Sequence, residues 1–179
     1  MSIKILSVAK QLPKYTRETK DIIPFVKQWM KGQEARFQRK VLKIFEGAGV
    51  ERRYSIMDAE EVFFNSSFEE KNNLYVREVI KLAEQSLQKS LKKVDLQPTD
   101  IDYIITVSCT GIMIPSIDAY LINSLQMRQD IIRLPVTEMG CVAGVSGIIY
   151  AKNFLKANPN KRAVVISVEA PTAVSYTHL

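Results

Sequence analysis

A cysteine that directly follows a glycine is the most reactive group that the sequence offers. Gly140 and Cys141 come after a short strand-like segment and stand at the start of a helical pattern, residues 141–157. A cysteine at a helix N-terminus faces unpaired N–H groups and the positive end of the helix dipole. Both favour the thiolate, the nucleophilic form. The segment therefore predicts a nucleophile at Cys141, with an inert buried cysteine as the alternative.

A second group of residues is suited to binding phosphate. Arg36, Arg39 and Lys43 are spaced i, i+3 and i+7 within a predicted helix, which places three cations on one face. Arginine can bind phosphate oxygens through two parallel hydrogen bonds. The spacing is consistent with an anion site, although the charge pattern alone favours an ordinary solvated helix face.

Composition narrows the classes of partner. Lysine and arginine exceed aspartate and glutamate by 25 to 19, which gives a formal net charge of +6. Such a surface favours anionic partners, but no nucleic-acid-binding module is recognisable. The two cysteines, Cys109 and Cys141, and the single histidine do not form a zinc motif, so no metal is predicted. No apolar run is long enough to span a bilayer, and a reducing cytosol is the simplest compartment.

Strands and helices are predicted to alternate along the chain. Predicted strands cover residues 3–9, 101–108, 131–136 and 162–168, of which 101–108 and 162–168 are apolar enough to be buried. Predicted helices cover residues 21–30, 33–46, 69–94, 116–125 and 141–157, with Asp21 as an N-cap and Pro24 in the first turn. This alternation predicts an α/β layer architecture with a mostly parallel sheet.

The predicted helix 141–157 is apolar or small on nearly every face, which is typical of a buried helix. Gly144 and Gly147 each cost about 1 kcal/mol relative to alanine in a helix interior. We expect that cost to reflect close packing, against a second helix.

The nucleophile segment, GCVAGVSGIIYAKNFL, resembles that of the chalcone and stilbene synthases, the type III polyketide synthase family. Four further segments resemble the family in the same order: ARFQRKVLK (35–43), VERRYSIM (50–57), SCTGIMIPSIDAYL (108–121) and VEAPTAVSYTHL (168–179). The resemblance covers essentially the whole chain. It implies a thiolase-like fold, of which residues 1–179 are the N-terminal, nucleophile-bearing half of a duplicated α-β-α-β-α architecture.

The resemblance also implies roles for individual residues. Cys141 would carry the acyl group, while Arg36, Arg39 and Lys43 would contact coenzyme A. The positions that would line the pocket are Cys109, Thr110, Thr172 and Ser175. Ile114 would lie at a homodimer interface. From the residues alone, Cys109 could equally be a small core residue and Ile114 an ordinary buried one. Glu138 could be a pocket acid, although a buried salt-bridge partner is the preferred interpretation.

The reaction that the resemblance implies is decarboxylative condensation of malonyl-CoA onto an acyl-CoA starter, without a metal or prosthetic group. The family's catalytic histidine and asparagine belong to the C-terminal half, which this chain lacks. His178 does not match the catalytic histidine and receives no catalytic role. We therefore expect this chain to be poorly soluble, or to associate with itself or with a separate C-terminal half.

Three alternatives remain at this point. The chain could be another condensing enzyme of the same fold, a ketoacyl synthase III or a hydroxymethylglutaryl-CoA synthase. It could be an inactive fragment that acts as an interaction protein, because the histidine and asparagine are missing. A basic nucleic-acid-binding domain is favoured only by the charge.

Overall fold

The computed structural model describes residues 2–65 and 67–173. The chain divides into two compact units. The first, here called the helical unit, contains the described residues of 12–74 and 170–173. The second, the sheet unit, contains residues 2–11 and 75–169.

The helical unit begins with a small antiparallel pair of strands that the sequence did not predict. Strand β1 (Tyr15–Glu18) pairs with β2 (Arg52–Ser55). Between them lie helix α1 (Thr19–Trp29) and helix α2 (Ala35–Gly47), close to two of the predicted ranges. The predicted N-cap at Asp21 is wrong, because the extended strand β1 runs directly into α1 and leaves Glu18 at the cap. Pro24 consequently lies in the interior of α1.

Helix α3 (Phe68–Lys92) is long and continues from one unit into the other, close to its predicted range. Within the sheet unit it buries one residue in every four: Tyr75, Val79, Ala83, Leu87 and Leu91. This spacing keeps a single stripe of the helix inside the core.

The sheet unit is built on three parallel strands, as the sequence predicted. They are β3 (Tyr103–Val107), β4 (Ile132–Val136) and β5 (Ala163–Ser167), in the order β4-β3-β5. The central strand β3 is buried along its whole length. Helix α4 (Ile117–Ser124) follows β3, and helix α5 (Ala143–Ala157) follows β4. The core joins the strands to α5 through Tyr103, Ile105, Val107, Val136 and Ala143.

A buried carboxylate fixes α4 to the sheet. Asp118 is fully buried and its carboxylate accepts a hydrogen bond from Arg133 Nε at 2.5 Å. Thr106 Oγ1 donates a second hydrogen bond to Asp118 at 3.3 Å. A buried charge of this kind is tolerated because it is both paired and hydrogen-bonded.

The predicted strand at residues 3–9 is wrong. This segment has no regular secondary structure, and Ile5, Leu6 and Val8 have relative exposures of 79%, 60% and 72%. Two hydrogen bonds attach it to the C-terminal part of α3 and the residue that follows. The Ser7 hydroxyl donates to the Ser90 carbonyl at 2.9 Å, and Lys93 Nζ donates to the Val8 carbonyl at 2.6 Å. An alternating apolar segment forms a strand only where another strand satisfies its backbone groups, and the segment has no such partner among the described strands.

The prediction that the helix after β4 is buried on nearly every face is also wrong for this chain. Only one side of α5 faces the sheet, and Val145 and Ile148 on the other side are 59% and 57% exposed. The prediction that the glycines of this helix pack against a second helix is wrong at Gly147, which packs against the sheet. A Cβ at Gly147 would lie 3.0 Å from Val165 Cγ1, so this glycine admits the side chains of the sheet.

Candidate functional site

Three loops meet at the carboxyl edge of the sheet, because the strands that they follow are parallel and in register. Val107 at the end of β3 pairs with Val136 of β4 and with Ser167 of β5. The pairing continues into the loops, since Ser108 N–H donates to the Val136 carbonyl at 3.2 Å and Val168 N–H to the Val107 carbonyl at 3.0 Å. Parallel α/β sheets commonly bind ligands outside this edge.

Cys141 lies on the loop after β4, in a tight turn. Glu138 and Gly140 both adopt left-handed backbone conformations, with φ of 62° and 63°. A short 3₁₀ turn then spans Gly140–Val142, and α5 begins at Ala143, two residues later than predicted. The Cys141 side chain is exposed, so an inert buried cysteine is excluded within this chain.

Glu138 does not have the environment that was expected of it. It is exposed, so the interpretation as a buried salt-bridge partner is wrong. A left-handed conformation is uncommon for a residue with a side chain, and here it contributes to the reversal of direction between β4 and Cys141. Strain of this kind is frequent at functional sites.

Cys109 lies on the loop after β3 and is held by a carboxylate from the loop after β5. Its backbone N–H lies 3.0 Å and 3.2 Å from the two carboxylate oxygens of Glu169. Partial burial, followed by the charge of Glu169 and a hydrogen bond to it, raises the pKa of the Cys109 thiol. The backbone N–H of Gly140 reaches the same sulfur, and Cys141 adds to its electrostatic environment. The two cysteines are therefore neighbours at the sheet edge.

Tyr75 of α3 contacts the loop after β3, a role that the sequence did not predict. It is 1% exposed, and its hydroxyl lies 2.5 Å from the Ser108 hydroxyl, with a further hydrogen bond to Thr110. Burial raises the pKa of Tyr75, so the phenol stays neutral. The period-four stripe on α3 could have indicated its burial, but not which loop it would meet.

Thr110 and Ile114 continue the loop after β3. Thr110 is half-buried, whereas Ile114 is 93% exposed. Ordinary burial of Ile114 within the chain is therefore excluded. A large apolar side chain that protrudes in this way is suited to contact with another protein surface.

The three basic residues predicted to bind phosphate lie in the helical unit, on α2. Arg36, Arg39 and Lys43 are all exposed. With 3.6 residues per turn, they lie opposite the half-buried side of the helix, which contains Val41, Leu42 and Phe45. The spacing therefore does produce one accessible cationic face.

Thr172 also belongs to the helical unit, where its hydroxyl lies 2.9 Å from that of Ser55. Ser175 and His178 lie outside the described residues. The structure thus brings together one group of predicted site residues at the sheet edge: Cys109, Thr110 and Cys141. The other group lies in the helical unit: Arg36, Arg39, Lys43 and Thr172.

Two kinds of site are not found in the part of the chain that the structure describes. No three histidine, cysteine, aspartate or glutamate side chains in residues 2–65 and 67–173 are grouped so that they could hold a metal ion. None of the described helices combines the length and the hydropathy that crossing a bilayer would require.

Comparison with known proteins gives a consistent picture. The family described as FAE1/Type III polyketide synthase-like protein matches residues 9–178. The 1,3,6,8-tetrahydroxynaphthalene synthase of Streptomyces griseus is 33% identical over 129 residues, which are 72% of this chain and 35% of that enzyme. The phloroglucinol synthase of Pseudomonas fluorescens is 30% identical over 120 residues, covering 67% of this chain and 34% of the relative.

The fold agrees with the sequence match. The crystal structure of 1,3,6,8-tetrahydroxynaphthalene synthase from Streptomyces coelicolor, a bacterial type III polyketide synthase, superimposes with a TM-score of 0.86 at 27% identity. The match covers 93% of this chain and 48% of that one. The thiolase-like α/β fold predicted from the sequence is thereby confirmed. The chain spans about half the length of this solved relative and about a third of the curated ones.

Proposed function

The chain belongs to the FAE1/Type III polyketide synthase-like family, and we propose that it is the nucleophile-bearing part of an enzyme that extends an acyl-CoA starter with malonyl-CoA. The observation that carries this proposal is the exposed Cys141 in the tight turn after β4. This turn presents a thiol at the sheet edge where Cys109 and Thr110 also lie. Members of the family act as acyltransferases, and a presented thiol is the group that such a transfer requires.

The step that this chain would perform is transthioesterification. The Cys141 sulfur attacks the thioester carbonyl of an acyl-CoA, the carbon–sulfur bond to coenzyme A breaks, and the coenzyme A thiolate takes up a proton as it leaves. The product is an acyl thioester on Cys141. Because one thioester replaces another, no external energy source or metal is needed.

The condensing step needs catalytic groups besides Cys141. Decarboxylation of malonyl-CoA generates a carbanion, and stabilising that charge requires preorganised hydrogen-bond donors. The resemblance assigns this task to a histidine and an asparagine of a C-terminal half. We propose that such a half, covalently continuous or separate, completes the active site.

Coenzyme A would bind through the cationic face of α2. Arg36, Arg39 and Lys43 are exposed, and none of them belongs to the half-buried side of the helix. Coenzyme A carries a phosphate monoester and a diphosphate, all of them anionic at neutral pH, and each contact with arginine is charge-assisted. The starter, the number of extensions and the mode of cyclisation would depend on the side chains that line the acyl pocket, to which Cys109 and Thr110 would contribute.

Two protein partners follow from the exposed apolar surfaces. The exposed side of α5, which contains Val145, Ile148 and Ile149, would meet the C-terminal half together with Val142 of the preceding turn. Ile114 would contact the second subunit of a homodimer. The two free cysteines are compatible with a reducing cytosol as the compartment.

Acylation can be measured directly on this chain. The purified protein is incubated with a panel of acyl-CoAs and followed by intact-mass spectrometry, with Cys141→Ala and Cys109→Ala as matched variants. The expected result is the gain of one acyl group in the wild type and in Cys109→Ala, and no gain in Cys141→Ala. A folded wild-type chain that gains no acyl group from any donor would contradict acyl transfer by this chain.

The coenzyme A site needs a separate experiment, which uses binding rather than turnover. The double variant Arg36→Glu/Arg39→Glu is expected to weaken coenzyme A binding, measured by calorimetry, by at least about tenfold, since each charge-assisted hydrogen bond contributes roughly 1.5–3 kcal/mol. Arg77→Glu/Lys92→Glu on α3 changes the net charge equally at exposed positions and serves as the control. Equal weakening in both variants would show that only net charge matters and would remove the assignment to α2.

A further inference from the structure

We propose that Cys109 and Cys141 form a reversible disulfide when the protein meets a hydroperoxide, with Cys141 oxidised first and Cys109 resolving it. This modification site is independent of acyl transfer, because it requires neither coenzyme A nor a C-terminal half. It uses the only two cysteines in the sequence, both of which are free in the structure.

The topology of the sheet places the two thiols together. Cys109 comes two residues after the end of β3, and Cys141 follows the end of β4, the neighbouring parallel strand. The backbone N–H of Gly140, the residue before Cys141, reaches the Cys109 sulfur. That sulfur therefore lies beside the Met139–Gly140 peptide, and Cys141 is the next residue along the turn.

The two cysteines differ in a way that sets the order of the reaction. Cys141 is exposed, so a small oxidant can reach it, whereas Cys109 is half-buried. An oxidation-sensing pair usually combines an accessible cysteine with a second, resolving one.

Glu169 is placed to assist the resolving step. Both of its carboxylate oxygens hold the Cys109 backbone N–H, at 3.0 Å and 3.2 Å, and the Cys109 thiol also hydrogen-bonds to it. The carboxylate can therefore accept the thiol proton as the sulfur attacks. The same contact disfavours a free thiolate at Cys109 beforehand, which is consistent with Cys141 reacting first.

The two steps balance as follows. The Cys141 thiolate attacks the peroxide, the O–O bond breaks, and Cys141 becomes a sulfenic acid while the alkoxide or hydroxide takes up a proton. Cys109 then attacks the Cys141 sulfur, and its proton passes through Glu169 to the departing hydroxide, which leaves as water. Each sulfur loses one electron in total, and the peroxide is reduced by two. A thiol reductant reverses the change.

The disulfide is measured on the full chain, after near-UV circular dichroism has shown that it is folded. A short treatment with hydrogen peroxide is expected to lower the intact mass by about 2 Da, the loss of two hydrogens, and dithiothreitol is expected to restore it. Digestion without reductant should release one peptide pair, which joins Cys109 to Cys141. A link between two chains, seen as a dimer on a non-reducing gel, would overturn the proposal.

Two cysteine variants provide the matched controls. In Cys109→Ser, Cys141 has no resolving partner and is expected to gain about 32 Da as a sulfinic acid at a peroxide dose that leaves the wild type as a disulfide. In Cys141→Ser, Cys109 should stay unmodified at that dose. If the wild type reached the sulfinic acid at the same rate as Cys109→Ser and yielded no joined peptides, Cys109 would not resolve the oxidised Cys141 and the proposal would be overturned.

Glu169→Gln tests the proton acceptor. Glutamine is close in shape and keeps an oxygen for the Cys109 backbone N–H, so the loop should remain in place. Disulfide formation is expected to slow by about tenfold or more, since general-base assistance of this kind is typically large. A wild-type rate would overturn the role of Glu169. Should this variant fail to fold, the joined peptides in the wild type still decide whether the disulfide exists.

Discussion

The ring of Tyr75 fills the space that a side chain at Gly111 would need. An ideal Cβ at Gly111 would lie 2.2 Å from Tyr75 Cδ1, far inside van der Waals contact. The ring cannot move aside easily, because Tyr75 is 1% exposed and its hydroxyl is hydrogen-bonded to the Ser108 hydroxyl. The loop that carries Cys109 and Thr110 is thus shaped by a residue on α3.

We predict that Gly111→Ala lowers the free energy of unfolding by about 1–3 kcal/mol, the range typical of overpacking. Chemical denaturation would measure the change. Gly47→Ala, at the end of α2 with nothing within 4 Å, is the matched control and should have little effect. Tyr75→Leu in the Gly111→Ala background should recover part of the loss. Additive effects of the two changes would contradict the proposed contact.

Two glycines of α5 should respond differently to alanine. At Gly147 a Cβ would lie 3.0 Å from Val165 Cγ1 and 3.3 Å from Val107 Cγ2, so Gly147→Ala should be destabilising by about 1–3 kcal/mol. At Gly144 the nearest neighbour of a Cβ would be Ser167 Oγ at 3.9 Å, so Gly144→Ala should be stabilising by up to about 1 kcal/mol through helix propensity. Thermal unfolding of the two variants side by side measures this, and equal shifts would show that α5 does not seat on the sheet through Gly147.

The exposed apolar side of α5 should cause this chain to self-associate. Val145→Glu/Ile148→Glu is expected to shift the chain toward monomer in sedimentation velocity at a given concentration, because it replaces two exposed apolar side chains with charges. Ile5→Glu/Val8→Glu changes two apolar residues of the N-terminal segment that are even more exposed, and is the control. If the proportion of monomer were unchanged in the α5 variant, or rose equally in both variants, the surface responsible for self-association would lie elsewhere.

The pair between Arg17 and Asp58 should make stability depend on pH in the acid range. A hydrogen bond from Arg17 at 2.9 Å, opposed by some desolvation, holds the pKa of Asp58 below its ordinary value of 3.8. Stability from a depressed pKa is present above 3.8 and is lost as the pH falls through the folded-state pKa. Since both side chains are more than a third exposed, the contribution should be no more than about 1 kcal/mol.

The variant Asp58→Asn measures that contribution. Urea denaturation should find it less stable than the wild type at neutral pH, with the difference shrinking as the pH falls below about 4. Asp21→Asn in α1 is an exposed control for the loss of one carboxylate. A difference that persisted unchanged in acid would mean that the loss is one of packing or geometry and not of charge.

Much of the sheet unit could be predicted because its signals are local. The apolar runs that became β3 and β5 and the periodic stripe of α3 need no knowledge of the rest of the fold. Cys141 was predicted from the adjacent Gly140 and the helix that follows. The strands β1 and β2 were missed because each has only four residues and polar side chains.

The remaining differences come from contacts that a local pattern does not contain. Residues 3–9 alternate like a strand, but strand formation depends on a neighbour that satisfies the backbone. Likewise, the apolar composition of α5 indicates burial, yet only the side with Ala143 and Gly147 meets the sheet of this chain. Glu169 and Tyr75 were missed at the site for the same reason, since each acts on a loop distant in sequence.

The contact between Glu169 and Cys109 has an evolutionary consequence, because it acts on the main chain. The carboxylate holds the backbone N–H of position 109, a group that every residue except proline possesses. The loop can therefore keep its path while the side chain at 109 is exchanged. A lineage could alter what this position presents to a substrate without rebuilding the edge of the sheet, which makes position 109 a place where specificity can drift at little structural cost.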